Sequence, residues 1–208
     1  GFELHVPVEH APRVYEAVME RGEQLERLGV PVRDAGYRAI DSLSAEKSYR
    51  HWHADLASAD TPFEACIGFT VLPKLKRSDA PDFLGRRALE EQRAAGLRRR
   101  LVTLVLDDPL AGPMHGGETL WRDGECVGIV RSVAYGHTIG ATIVSGYVRA
   151  PAELKKITPS WLRDGMWSVG DKGTAHSATL HLKPPFDPNG DRPKGIYAQE
   201  LLHVTAAS

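Results

Sequence analysis

The 208-residue sequence contains only two cysteines, Cys66 and Cys126, and both lie within apolar segments. Disulfide-rich and zinc-binding chains carry cysteines at recurring short spacings, and no such spacing occurs here. The two thiols therefore indicate a reducing compartment rather than a disulfide scaffold or a cysteine-based zinc site. No apolar run approaches the length that a bilayer-spanning helix needs, so we expect no membrane partner.

The chain also lacks an excess of charge of either sign. Its 26 Lys and Arg residues nearly balance its 27 Asp and Glu residues, which leaves a formal net charge of −1. Proteins that bind nucleic acid through phosphate contacts usually carry a basic surplus, so we expect no nucleic-acid partner. The one basic run, Arg98–Arg100, leads into a predicted strand, and we interpret it as a solvated strand edge.

Motifs that would identify a self-contained catalytic site are absent as well. The sequence has no Gly-x-Gly-x-x-Gly fingerprint and no nucleophile elbow, so neither a dinucleotide site nor a hydrolytic site is predicted. His51 and His53 would share one face of a strand, as a metal-binding pair does, but no third ligand follows at a diagnostic spacing. We interpret both as hydrogen-bonding or solvent-facing histidines and assign no metal ligand.

The elements that the sequence does predict change in character along the chain. Helical spacing predicts helices at residues 11–21, where Gly22 would end the helix, at 36–47 and at 85–94. Strands are predicted at residues 1–7, 65–72, 101–106, 119–121, 126–130, 143–148, 166–169 and 177–182. Asp123-Gly124 lies between two of these strands and predicts a hairpin.

This order predicts an α+β protein of two modules, the second a small barrel or sandwich of short strands. We place the boundary near Gly96, which gives modules of residues 1–96 and 97–208. The chain begins at Gly1 in the middle of an alternating pattern, so we expect it to be cut from a longer polypeptide.

Several strings resemble landmarks of the glycine cleavage T-protein family, and they occur in that family's order. They are Phe2–Pro7, Gly36–Lys47, Thr61–Ala65, Phe83–Leu89 and Glu118–Gly128. Narrower strings resemble the branch of that family formed by the sarcosine and dimethylglycine dehydrogenases. These are Tyr49–Leu56, Ala94–Leu101, Pro185–Asn189 and Lys194–Tyr197.

The resemblance implies a fold and an activity. It implies that residues 1–96 are the C-terminal part of a T-protein-like folate-binding domain and that residues 97–208 are a small antiparallel β-barrel. The implied enzyme is an oxidoreductase that oxidises an N-methyl amine with FAD and transfers the one-carbon unit to tetrahydrofolate, forming methylenetetrahydrofolate. The family's flavin site and catalytic Asp would precede Gly1. We therefore assign no catalytic residue and expect this fragment alone to be inactive.

The resemblance also identifies one site residue. The pterin-binding Glu of the family corresponds to Glu3, and a carboxylate suits this role because it accepts two parallel hydrogen bonds from the pterin edge. Ile40 replaces an Arg of the T-proteins, so the folate contact of that Arg is absent at this position. Asp41 is expected to have a structural role, either as a helix cap or in a pair with Arg38.

Two alternatives remain open at this stage. The chain could instead be a non-catalytic folate-binding or regulatory module on the same scaffold, as in a phosphatase regulatory relative. The sequence does not choose between sarcosine and dimethylglycine as the substrate. The resemblance implies a mitochondrial matrix location in a eukaryote and a cytoplasmic one in a bacterium, and an open pterin pocket predicts self-association of the fragment.

Overall fold

The structure is a computed structural model that describes residues 2–29 and 31–196. The α-helices of these residues are α1 (Ala11–Glu26), α2 (Tyr37–Glu46), α3 (Leu72–Lys76), α4 (Arg86–Ala95) and α5 (Pro159–Arg163). The strands are β1 (Arg99–Leu106), β2 (Thr119–Arg122), β3 (Glu125–Gly136), β4 (Ala141–Arg149), β5 (Trp167–Asp171) and β6 (Thr174–His181). Within these residues, no helix is long and apolar enough to cross a membrane.

The six strands form a closed antiparallel barrel in the order β1-β4-β3-β2-β5-β6. The barrel closes where β1 pairs with β6 over Thr103–Leu106. The predicted α+β class, with helices followed by a small antiparallel barrel, is confirmed. The barrel strands predicted from short apolar runs are present too, and several extend beyond their predicted ends.

Alternate residues of the strands fill the barrel, because successive side chains of a strand point to opposite faces. Leu104 on β1 and Val144 and Val148 on β4 are fully buried members of the apolar core. Leu162 of α5 joins the same cluster, and Trp161 packs edge-on against Trp167 with ring centroids 6.0 Å apart. The intervening residues of β1 and β4 are left for the outer face, where the functional candidates lie.

The predicted hairpin between β2 and β3 is confirmed. Asp123 and Gly124 both have positive φ angles, 52° and 84°. Two consecutive residues in this region make the tight turn whose twist matches that of the flanking strands. Asp123 also accepts a 2.8 Å hydrogen bond from the backbone N–H of Met166, which ties this turn to the start of β5.

Contacts between Cα atoms divide the chain into two compact units, one ending at Ala39 and the other beginning at Ile40. In the first unit, α1 continues to Glu26, so the prediction that Gly22 ends it is wrong. A Cβ atom on Gly22 would lie 2.8 Å from the Cβ of Val32, so this glycine permits a close approach instead. The module boundary between residues 96 and 97 stays a prediction.

Two predicted strands are wrong. Residues 65–72 form a 3₁₀ helix at Gly68–Thr70 and the start of α3. The N–H of Ala65 donates to the carbonyl of Thr61 at 2.9 Å, so local turns take donors that a strand would offer to a neighbour. Residues 2–7 are not assigned to a strand and pair with no strand of the described chain, although their side-chain pattern alternates.

Candidate functional site

Glu3, the one predicted site residue, lies in the first unit, in the segment before α1. Its side chain is 87% exposed, and Oε2 lies 3.4 Å from Nε2 of His5. Because this single contact is long and solvated, both carboxylate oxygens can accept hydrogen bonds from a ligand. The pterin-binding role of Glu3 stays a prediction.

Helix α2 carries Ile40 and Asp41, the two positions that the sequence analysis compared residue by residue with the T-protein family. Ile40 is 42% exposed, so the apolar side chain that replaces the family's Arg is not a core residue. Asp41 is the fifth residue of a helix that begins at Tyr37, so the suggested capping role is wrong, and within the described residues it forms no pair with Arg38. Its exposed side chain instead lines a cavity of the second unit.

The end of α2 is fastened to the barrel by a buried carboxylate. Glu46 is only 1% exposed. Its Oε1 accepts hydrogen bonds from the N–H groups of Thr138, at 2.6 Å, and Ile139, at 3.3 Å, in the turn between β3 and β4. Its Oε2 is buried and has no hydrogen-bond partner among the described residues. Glu46 therefore holds a turn of the barrel from the last residue of the helix.

The next residue, Lys47, fastens the segment that follows the barrel. Its Nζ donates to Oδ2 of Asp187 at 2.8 Å and to the carbonyl oxygen of Asp187 at 3.0 Å. The hydrogen bond from Lys47 lowers the pKa of Asp187, and the backbone N–H groups of Asp191 and Arg192 lower it further. The string that begins at Pro185 is thus anchored to the end of α2.

Arg50 lies against the outer face of the barrel, between β1 and β4. Its Nη1 donates to Oγ of Ser145 at 3.4 Å and its Nη2 to Oγ1 of Thr103 at 3.3 Å. Burial lowers the pKa of Arg50, an effect that the nearby Asp55 carboxylate opposes. A guanidinium has five N–H donors, so two long bonds to hydroxyl groups leave most of its hydrogen-bonding capacity unused.

Asp55 organises the turn in which both histidines lie. Its Oδ2 accepts from the backbone N–H of His51 at 2.9 Å, and its Oδ1 accepts from Oγ of Ser132 on β3 at 2.5 Å. His53 has a positive φ of 72°, so the prediction that the two histidines share a strand face is wrong. No three His, Cys, Asp or Glu side chains of the described residues converge as a metal site requires.

The basic run entering β1 makes specific bonds, which corrects the interpretation of Arg99 as solvated, whereas Arg98 is exposed as well as bonded. Arg98 donates to backbone carbonyl oxygens that include that of Leu154, at 2.7 Å. Arg99 donates to Oδ1 of Asp60 at 2.6 Å, and its guanidinium lies 3.8 Å from the ring centroid of Tyr147. Burial, with the nearby Asp60 carboxylate, raises the pKa of Tyr147.

Two cavities of the second unit meet at Arg50, which lines both. The first, here called the polar cavity, has a volume of about 250 Å³ and contains side chains of both charge signs. Its charged or titratable residues include Asp41, Asp55, Arg131, His51 and His115. The second, the basic cavity, has a volume of about 400 Å³. Its titratable side chains are Lys47, Tyr49, Arg50, Cys66, Arg100, His181 and Lys183.

Arg50, Arg100 and Cys66 were not predicted as site residues from the sequence. Arg50 belongs to a string that resembles the dehydrogenase branch, and this was the one available signal. Cys66 was interpreted only as an unpaired thiol, and it is free and partly exposed in the structure. The three residues line one cavity only because β1 runs past the end of β6, which hydrophobic periodicity does not specify.

Comparison with known families matches both parts of this architecture. The model of the glycine cleavage T-protein N-terminal domain matches residues 1–74, and that of the glycine cleavage T-protein C-terminal barrel domain matches residues 99–187. The chain therefore belongs to the glycine cleavage T-protein family, as its strings predicted. The solved aminomethyltransferase T of the glycine cleavage system from Bartonella henselae shares the fold. Its TM-score is 0.57 at 21% identity, over 72% of this chain and 38% of that one.

Within the family, this chain is similar to two mouse proteins of different kinds. It is 48% identical to mitochondrial sarcosine dehydrogenase over 197 residues, which are 95% of this chain and 20% of the dehydrogenase. It is 32% identical to the mitochondrial pyruvate dehydrogenase phosphatase regulatory subunit, over 88% of this chain and 21% of that protein. The chain thus spans about a fifth of the length of these relatives.

Proposed function

We propose that this chain is part of an oxidoreductase of the sarcosine dehydrogenase type. Its role there is to help bind tetrahydrofolate and to support one-carbon transfer that forms methylenetetrahydrofolate. The observation that carries the proposal is the 48% identity to sarcosine dehydrogenase across 95% of the chain. The phosphatase regulatory relative, at 32%, is less similar over a comparable span.

The proposed reaction divides between two parts of such an enzyme. A flavin domain, for which this chain has no dinucleotide fingerprint, would oxidise an N-methyl amine to an iminium. Tetrahydrofolate, when bound, supplies the nitrogen nucleophiles that take up the one-carbon unit. The contribution of this chain is to bind and orient the folate, because a reactive iminium is captured efficiently only by a nucleophile that is already in place.

Glu3 is the residue that we propose as the acceptor for the pterin N–H groups. A carboxylate accepts two parallel hydrogen bonds with charge assistance, which matches the donor edge of a pterin. Its side chain is exposed and engaged only by His5 at 3.4 Å, so a ligand would displace one weak contact. Ile40 cannot supply a charged contact to folate, so Glu3 is the one residue of this chain to which we assign a folate contact.

A non-catalytic folate-binding or regulatory module is the second candidate. The 32% identity to a phosphatase regulatory subunit supports it. The two candidates predict different properties of the intact protein, because only the dehydrogenase reduces a flavin with an N-methyl amine. By the names of its relatives, we propose a mitochondrial matrix location if the source is eukaryotic. A bacterial source would place the protein in the cytoplasm, and self-association of the isolated chain is a further proposal.

Calorimetric titration of the full-length protein with tetrahydrofolate tests the proposal. Glu3→Gln should weaken folate binding by about 10- to 100-fold, because a hydrogen bond to a charged group contributes about 1.5–3 kcal/mol. The matched control is Glu9→Gln, which neutralises an exposed carboxylate of the 3₁₀ helix that precedes α1. Flavin reduction by sarcosine should be unchanged in both variants.

Three results would contradict parts of this proposal separately. Normal folate binding by Glu3→Gln would reject the pterin role of Glu3 and leave the enzyme assignment intact. Folate binding without flavin reduction by sarcosine or dimethylglycine would favour the regulatory module. Flavin reduction without any folate binding would reject the folate role of this chain.

A further inference from the structure

The segment that follows the barrel contains the only asparagine of the sequence, Asn189, which a glycine follows directly. Asn189 is exposed, and Gly190 has a positive φ of 64°. The backbone N–H of Gly190 donates to the carbonyl oxygen of Asp187 at 3.0 Å, which closes a β-turn over residues 187–190. Asn189 therefore occupies the third position of a hydrogen-bonded turn.

An asparagine that precedes a glycine can react with its own backbone. The nitrogen of Gly190, once it has lost its proton to solvent, can attack Cγ of Asn189, and the glycine has no side chain to hinder the approach. A bond forms between this nitrogen and Cγ, the bond from Cγ to Nδ2 breaks, and Nδ2 leaves as ammonia with protons from water. Water then opens the cyclic imide at either carbonyl, which leaves an aspartate or an isoaspartate at position 189. Nothing is oxidised or reduced.

The closed turn opposes this reaction. The nitrogen of Gly190 has to break its bond to Asp187 before it can lose its proton and reach Cγ of Asn189. Asn189 is held as well, because its Oδ1 accepts from Nζ of Lys183 at 3.3 Å and its carbonyl oxygen accepts from Nζ of Lys194 at 3.2 Å. The reaction therefore requires a local opening of the turn, whose frequency depends on the contacts that hold it closed.

A nearly buried ion pair provides the main contact of this kind. The side chains of Lys47 and Asp187 are only 17% and 6% exposed. Oδ1 of Asp187 also accepts from the N–H of Asp191 at 2.8 Å, and its Oδ2 accepts from the N–H of Arg192 at 3.3 Å. One carboxylate thus joins the end of α2 to the residues that follow the turn. It also holds Asp187 at a positive φ of 47°, which few residues other than glycine adopt.

We propose that Asn189 is a modification site that converts to aspartate or isoaspartate, and that the ion pair between Lys47 and Asp187 sets the rate by holding the turn closed. Isoaspartate adds one methylene group to the backbone of the turn, so the bond from Gly190 to Asp187 cannot re-form in the same geometry. The modification would therefore loosen the segment that the ion pair fastens to α2. The proposal involves neither folate nor flavin and does not depend on the function proposed above.

The first test compares the native 208-residue chain with the same chain in guanidinium chloride at one mildly alkaline pH. Peptide mass spectrometry follows the conversion of the Asn189 amide to a carboxylic acid, and chromatography separates the isoaspartate product. Conversion should be about 10- to 100-fold slower in the native chain, the factor that corresponds to one hydrogen bond to a charged group. Equal rates would overturn protection by the turn. Absence of product in the denatured chain would overturn the site itself.

Matched variants then test the ion pair. Lys47→Met removes the donor to Asp187 and should raise the rate in the native chain by about tenfold. Lys47→Arg keeps a cationic donor and should stay close to the unaltered chain. Lys74→Met, which removes an exposed charge from α3, should have no effect. Fluorescence of Trp167, which lies in the barrel core, verifies that each variant is folded.

Two outcomes would overturn control by the ion pair. One is an equal rate in Lys47→Met and Lys74→Met, and the other is a rate in Lys47→Arg as high as that in Lys47→Met. If Lys47→Met did not fold, the comparison of Lys47→Arg with the unaltered chain would still decide, because a pair that sets the rate has to be preserved in the variant that keeps it. The comparison of the native with the denatured chain requires no variant.

Discussion

At the scale of single residues, carboxylates of this chain mainly hold loops in place. Glu118 accepts from the backbone N–H groups of His115 and Gly116 at 2.7 and 2.9 Å. Asp60 accepts from the N–H of Ala57 at 2.8 Å, in addition to its ion pair with Arg99. Bonds from backbone N–H groups to a carboxylate are charge-assisted. Acidic residues near the cavities therefore do not by themselves indicate acid–base chemistry.

Glu46 gives the sharpest prediction at this scale. Glu46→Ala leaves the N–H groups of Thr138 and Ile139 without their acceptor, and each lost hydrogen bond costs about 0.5–1.5 kcal/mol. For the two bonds together, we expect the free energy of unfolding to fall by about 1–3 kcal/mol, measured by urea denaturation. Glu46→Gln retains an acceptor oxygen and should lose distinctly less. Equal losses in the two variants would contradict the capping role.

At the scale of elements, the features best predicted from the sequence are those determined by residues close together in the chain. The turn at Asp123–Gly124 requires only two residues with positive φ, and the helices and barrel strands follow local periodicity. The loop between α2 and α3 depends on distant partners instead. Ser132, which bonds to Asp55, is 77 residues away from it in sequence.

The same reasoning explains what was missed at the candidate sites. Glu3 was found by resemblance, because it lies in a string that can be compared residue by residue. The basic cavity exists because β6 ends at His181 while β1 continues beyond it. Neither strand end is visible in the periodicity of a single strand, so the pairing had to be seen before Arg50 and Cys66 could be placed at the same cavity.

The contact between β3 and β4 leads to a prediction about one glycine. A Cβ atom on Gly146 would lie 2.4 Å from the carbonyl oxygen of Ile129 and 2.8 Å from Cδ1 of Leu120. Gly146→Ala should therefore lower the free energy of unfolding by about 1–3 kcal/mol, the usual cost of overpacking. Gly36→Ala is the control, since no atom lies within 4 Å of its added Cβ. Unchanged stability of Gly146→Ala in urea denaturation would contradict this packing.

At the scale of the whole molecule, the second unit combines the barrel with residues that precede it in sequence. The segment from α2 to Ile67 supplies Glu46 to a barrel turn and Arg50 to the outer face of β1 and β4. It also pairs Asp60 with Arg99 at the start of β1. These contacts cross the proposed boundary between residues 96 and 97, so that boundary is open to a direct test of stability.

The test compares the full chain with residues 97–208 alone. Leu101 is 1% exposed, and the carbonyl of Glu64 accepts from its N–H. Removing the segment that carries Glu64 would uncover this side chain and break the ion pair of Arg99. Uncovering one large apolar side chain costs about 1.5–3 kcal/mol, so residues 97–208 should unfold at a lower urea concentration than the full chain.

Tryptophan fluorescence of the barrel reports this transition in both proteins, because Trp161 and Trp167 lie in α5 and β5. Residues 37–208 are the control, since they keep α2 and the segment after it while removing the residues before that helix. If residues 97–208 unfolded at the same urea concentration as the full chain, the barrel would be an independent domain with its boundary at Gly96. The predicted loss, restored in residues 37–208, would instead show that the barrel and the preceding segment form one cooperative folding unit, because a shared transition requires shared stabilising contacts.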